Sequence, residues 1–108
     1  MLALAFVLLL VAATGGLAMA VLDVAAPAVR TAHGGIAGLG LLVLLIGALM
    51  HGQTLVWTAF GLLAIGFAAG AVLFGLVWRE RTPPRLVVAG HGLINAVGIV
   101  LLGVAIFA

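Results

Sequence analysis

Two short strings hold the chemistry available to this chain. They are His33-Gly34-Gly35-Ile36-Ala37-Gly38-Leu39-Gly40 and His91-Gly92-Leu93-Ile94-Asn95-Ala96-Val97-Gly98. Laid together without a gap, they share the His-Gly pair, an Ile three residues later and a Gly seven residues later. Each opens an apolar run long enough to cross a bilayer. Imidazole is a good ligand for iron, and cofactor sites in helical bundles are built from side chains on facing helices. The chemistry suggested is axial ligation of one flat, metal-centred group by His33 and His91, with a b-type haem as the concrete case. A (bacterio)chlorophyll, whose magnesium takes one axial histidine, would draw on the same features.

The neighbours of the histidines agree with this reading. Gly34, Gly38 and Gly92 remove bulk beside the rings. Arg30, one turn before His33, and Arg85 stand on the side where haem propionates would need cations. Asn95, one turn after His91, is placed to orient its ring or to bond a substituent of the cofactor. The competing reading is structural. A histidine one or two turns inside a membrane helix also serves as polar glue, and the glycines suit close helix packing. Gly66-Phe67-Ala68-Ala69-Gly70 has the same small-residue spacing with no histidine nearby in sequence. His51, in a turn on the other side, reads as interfacial; Asn95 alone would be an interhelical hydrogen bond.

The elements that must position these residues follow from composition. Of 108 residues, 68% are hydrophobic and only 6% charged, where a soluble domain would carry roughly a quarter charged. Lipid is therefore the expected solvent. The absence of cysteine excludes disulfides, zinc–thiolate sites, iron–sulfur clusters and c-type haem attachment. The basic balance rests on four arginines against Asp23 and Glu80, which is a topology signal; no broad basic face for nucleic acid exists. The hydroxyls are Thr14, Thr31, Thr54, Thr58 and Thr82, with no Ser, Tyr or Cys, so no nucleophilic or acid–base constellation is present. Turnover by this chain alone is not expected, and Thr14 should back-bond within its helix.

A single four-helix membrane domain over residues 1–108 is expected, with spans at about 1–22, 28–50, 54–78 and 85–107. A cleaved leader competes for the first span, since Ala18-Met19-Ala20 resembles a cleavage site. The lack of a basic residue before the apolar run and the length of that run weigh against it. Pro27 suits a first helical turn, Gly52 a helix stop, and Pro84 the start of the last span. Trp57 and Trp78 fall where interfacial indoles belong. Glu80 would pair with Arg79 or Arg81.

Short connections give an antiparallel, all-α bundle. All four arginines fall in the two connections on one side. By the positive-inside rule that side is cytoplasmic and both termini are outside, in an inner membrane of bacterial type. An internal repeat of 1–51 on 54–108 is also expected. Ala5-Phe6-Val7-Leu8-Leu9 echoes Ala59-Phe60-Gly61-Leu62-Leu63, and at the same offset Gly16 falls on Gly70. The second halves match at an offset four residues larger. Such a duplication would relate the hairpins by a pseudo-two-fold axis along the membrane normal. At 1.5 Å per residue both histidines lie roughly 9–10 Å into their helices from one face. With neighbouring axes 8–10 Å apart, spans two and four would face each other at a diagonal of roughly 11–14 Å.

The string His-Gly-x-x-Asn-Ala-x-Gly looks like a segment of bacterial polytopic membrane proteins, and the architecture resembles the small haem-bearing anchor subunits of respiratory complexes. The first functional expectation is a membrane electron-transfer protein or redox-complex subunit holding haem b between His33 and His91, with a quinone or another complex subunit as partner. Two further expectations stand beside it. One is a cofactor-free accessory subunit, packed in a larger membrane complex or as a homo-oligomer. The other is a small dimeric transporter, since four spans in this length resemble small multidrug transporters. Those place a membrane-embedded Glu in the first helix, and span one here has no acid.

Overall fold

The computed structural model describes residues 1–23, 26–79 and 81–108, apart from the side chains of Val77 and Trp78. The interfacial role expected of Trp78 and the ion pair expected of Glu80 lie outside the described residues. Four helices, α1 (Leu2–Leu22), α2 (Pro27–His51), α3 (Thr54–Trp78) and α4 (Arg85–Phe107), make up the chain, with no strands among the described residues. At 1.5 Å per residue, helices of 21 to 25 residues span ~31–38 Å, against the ~30 Å of a bilayer core. All four are long and apolar enough to cross a membrane, as an integral membrane protein requires.

Local chemistry fixes the ends. Pro27 occupies the first turn of α2, where a missing N–H costs nothing, and the Ala26 carbonyl accepts from the N–H groups of Val29 and Arg30. Pro84 was expected to begin α4, but it is the cap residue, extended at ψ 135°. Its carbonyl accepts from Val87 and Val88, both at 3.1 Å. His51, expected in a turn, is the last residue of α2. Gly52 stops that helix at φ 64°, and its N–H donates to the Ala48 carbonyl at 2.9 Å. A left-handed φ carries no Cβ penalty at glycine. Asp23 ends α1 in the same way at φ 53°, donating to Met19; Asp is among the few non-glycine residues that adopt this conformation readily.

The helices form a ring in chain order, closed by α1 against α4, with no close backbone approach across the diagonals among the described residues. The pairs α1–α2 and α3–α4 pack most extensively. Large residues such as Leu17, Val21, Leu86 and Leu93 face outward, while the interior is built from Ala, Gly and a few fixed Leu and Val. Lipid tails are as apolar as leucine, so the helices gain from close van der Waals contact rather than from leaving water. Leu44, Leu102 and Val56 are the largest fully enclosed side chains.

This core occupies one end only. It lies where a Cβ on Gly47 would meet Leu2 and one on Gly103 would meet Phe6. The buried residues fall within 5–12, 40–48, 56–66 and 98–102. From Ala13 to Leu39, and from Phe67 to Val97, no described residue is buried. Both histidines belong to that second half, where the described side chains are half-buried or exposed.

Candidate functional site

His33 and His91 meet across the ring although their helices do not touch. Their ring centroids are 6.3 Å apart, with the ring planes at 83°. Both side chains are half-buried. Each sits at the seventh position of its helix, so matched depth follows from matched register.

Each ring is anchored to the helix beside it. The His33 Nδ1–H donates to the Ala12 carbonyl on α1 at 2.7 Å. The His91 Nδ1–H donates to the Gly66 carbonyl on α3, also at 2.7 Å. A carbonyl oxygen has no proton to give, so the proton must be on Nδ1 in both rings. In the neutral imidazole the lone pair is then on Nε2. Both rings are thus set in the tautomer that ligates through Nε2, with the backbone partner that ligating histidines commonly use.

The Nδ1–Cε1–Nε2 edge of each ring lies against a glycine of the neighbouring helix. A Cβ at Gly16 would sit 2.9 Å from His33 Cε1, and one at Gly70 would sit 2.8 Å from His91 Cε1. The glycines singled out next to the histidines do something else. Gly34 and Gly92 look onto open space, and Gly38 meets the Phe67 ring at 3.5 Å. Gly66 and Gly70, which sequence spacing set apart from any histidine, are the glycines that hold His91. Sequence reasoning therefore missed Ala12, Gly16, Gly66 and Gly70 as parts of the site. The signal that was present is the offset placing Gly16 on Gly70: Ala12 falls on Gly66 by the same offset, and His33 on His91 by the larger one.

Asn95 has a different partner from the one expected. Its Nδ2 donates within its own helix to the His91 carbonyl at 2.7 Å and stands 3.2 Å from His91 Nδ1. The amide packs where a Cβ on Gly66 would be, with its Cγ only 2.6 Å from that point. Arg30 is half-buried, and its Nε is enclosed without a hydrogen-bond partner; Arg85 is exposed. His51 is exposed at the far end of α2 and takes no part in the site. Thr14 donates to the Leu10 carbonyl at 2.9 Å, the back-bond read from the sequence.

Two points decide what this arrangement can hold. Among the described residues no three His, Cys, Asp or Glu side chains converge, so a four-ligand protein cage of the structural zinc type is not assembled there. Two imidazoles alone suit a metal that brings its other ligands with it. The 6.3 Å between ring centroids brings the two imidazoles edge to edge, with the Nδ1, Cε1 and Nε2 atoms of each ring turned toward Gly16 or Gly70 of the neighbouring helix. Comparison of the chain with protein-family models, curated proteins and solved structures finds no match in any of the three.

Proposed function

We propose that this chain is a haem b-binding electron-transfer protein, or the haem-bearing subunit of a membrane redox complex, with His33 and His91 as axial ligands. The observation that carries the reading is the pair of imidazoles 6.3 Å apart, each with Nδ1–H committed to a carbonyl. Arg30, with its enclosed and unpartnered Nε, and Arg85 are the cations for haem propionates. Bound haem supplies one-electron chemistry at its iron. The residues of this chain hold and orient it, keep Nε2 unprotonated for ligation, and surround it with apolar helices. A single-histidine pigment site would leave unexplained why both rings are anchored alike.

The same reading includes an antiparallel bundle made from a duplicated helical hairpin. The doubled set of Ala12/Gly66, Gly16/Gly70 and His33/His91 contacts supports it. Both termini are outside and the arginine-bearing connections cytoplasmic, in a bacterial inner membrane, with a quinone or a neighbouring subunit as electron partner.

The test is a visible spectrum of the full chain, produced with haem available and purified in mild detergent, oxidised and then reduced with dithionite. A sharp Soret band with reduced α and β bands, changed in His33→Ala and in His91→Ala, is the expected result. A colourless folded protein would sink the proposal. The second reading, a cofactor-free accessory subunit whose histidines only tie neighbouring helices together, would then replace it.

A further inference from the structure

The arginine end of the bundle carries a charge that the protein itself does not answer. Arg30 lies at the fourth position of α2 and is half-buried. Of its nitrogens only Nε is enclosed, and none has a hydrogen-bond or ion-pair partner among the described residues. A guanidinium without acceptors in a partly dry place costs its full desolvation. The local backbone adds to that cost. The first turn of α2 holds no acidic residue, and its cap residue, Ala26, offers no side-chain acceptor. A cation therefore stands where the helix dipole favours an anion. Asp23, the nearest acid in sequence, is exposed. The matching fourth position of α4 is Val88, so the α3–α4 pairing does without a cation at that place.

We infer that Arg30 grips the phosphate of an anionic phospholipid, in the leaflet on the arginine side. This goes beyond the haem reading and does not rest on it. A guanidinium has donors on more than one edge, so the enclosed Nε and the accessible terminal amines can serve different acceptors. Arg30 is ~4.5 Å along the axis from the start of α2, at 1.5 Å per residue. A helix of 25 residues measures ~38 Å and overhangs a ~30 Å hydrocarbon core by ~4 Å at each end. The Arg30 backbone is then at the edge of the hydrocarbon. Helical side chains lean toward the helix start, which here is toward the headgroups, and a long cationic side chain reaches the interface in the same sense. The anion at that level is lipid phosphate. The terminal amines of arginine form a planar fork that matches two phosphate oxygens. A zwitterionic lipid would bring a cation as well, and α2 has no carboxylate to receive it. An anionic head such as phosphatidylglycerol brings none.

The experiment is native mass spectrometry of the full chain, purified in mild detergent without haem. It is titrated with phosphatidylglycerol or with phosphatidylcholine of the same acyl chains. Wild type should retain a single phosphatidylglycerol in preference to phosphatidylcholine. Arg30→Gln should weaken that binding about fivefold or more, the weight of one arginine at a lipid surface. Arg81→Gln removes the same charge from an exposed position and should move it by less than about twofold, because a solvated charge is screened. Arg30→Lys keeps the charge and tests the grip should Arg30→Gln not fold. It should bind more weakly than wild type, since an ammonium lacks the paired fork. Wild-type affinity in either Arg30 variant, an equal loss in Arg81→Gln, equal retention of the two lipids, or displacement of the lipid by excess inorganic phosphate would overturn the inference. A chain that stays colourless with haem but binds phosphatidylglycerol as described would sink the haem reading and leave this one standing.

Discussion

The glycines flanking the rings make the sharpest claim about packing. Gly70→Ala places a methyl group 2.8 Å from His91 Cε1, about 0.6 Å short of an ordinary 3.4 Å contact. The ring must yield, since the other side of the contact is helix backbone. A displacement of that size stretches the 2.7 Å bond to the Gly66 carbonyl to about 3.3 Å, past the useful range for N–H···O. Losing an interhelical hydrogen bond in a membrane protein costs ~0.6 kcal/mol on average and up to ~1.7 kcal/mol. Replacing a mid-helix glycine by alanine returns roughly 0.5–1 kcal/mol of helix propensity in water. Gly34→Ala, where the new methyl meets open space, isolates that propensity gain. The difference between the two variants removes it, and Gly70→Ala should be the less stable by roughly 0.6–1.7 kcal/mol. Gly16→Ala should behave likewise through His33. Unfolding of the purified protein in mixed micelles of mild detergent and dodecyl sulfate measures the difference. Gly70→Ala and Gly34→Ala unfolding at the same point would show that the ring is not held as described.

Three other outcomes follow from the geometry. Gly66→Ala collides with the Asn95 amide and should destabilise the fold. Asn95→Ala in the same chain should relieve the collision, so a double-mutant cycle should give a coupling of about 1 kcal/mol or more. Leu102→Ala empties a fully enclosed site; losing ~80 Å³ of side chain at ~24 cal/mol per Å³ costs ~2 kcal/mol, whereas Leu86→Ala, at a residue 87% exposed, should stay within about 0.5 kcal/mol by the same unfolding assay. Gly52→Ala forces a side chain into φ 64° and should cost ~1–2 kcal/mol, measurable as a lower midpoint with the visible spectrum unchanged.

The helices could be read from the sequence to within a residue or two because charge is so scarce. Pro27, Gly52 and the Arg79–Arg85 stretch are the only breaks in near-continuous apolar runs, and each break is a helix end. The histidine pair was legible for a related reason, as a polar ring at a repeated place in such runs stands out. The rotational setting of the helices was not legible. In a lipid-solvated helix the inner and outer faces are both apolar, so periodicity does not say which glycine looks inward. Gly34 and Gly92 were therefore read as neighbours of the rings when Gly16 and Gly70 are. Asn95 shows the same limit. Its polarity announced a hydrogen bond, but whether the partner was on another helix or its own depended on the space opened by Gly66, 29 positions earlier.

The hydrogen bond of each histidine stays within its own helix pair, α2 to α1 and α4 to α3. This has a consequence for biogenesis. Each pair can leave the insertion machinery with its half-buried imidazole already hydrogen-bonded through Nδ1, so neither must wait for the other to avoid an unpaired polar group in lipid. The later joining of the pairs then rests on apolar packing at one end and, at the other, on the approach of Gly38 to Phe67 and of His33 to His91.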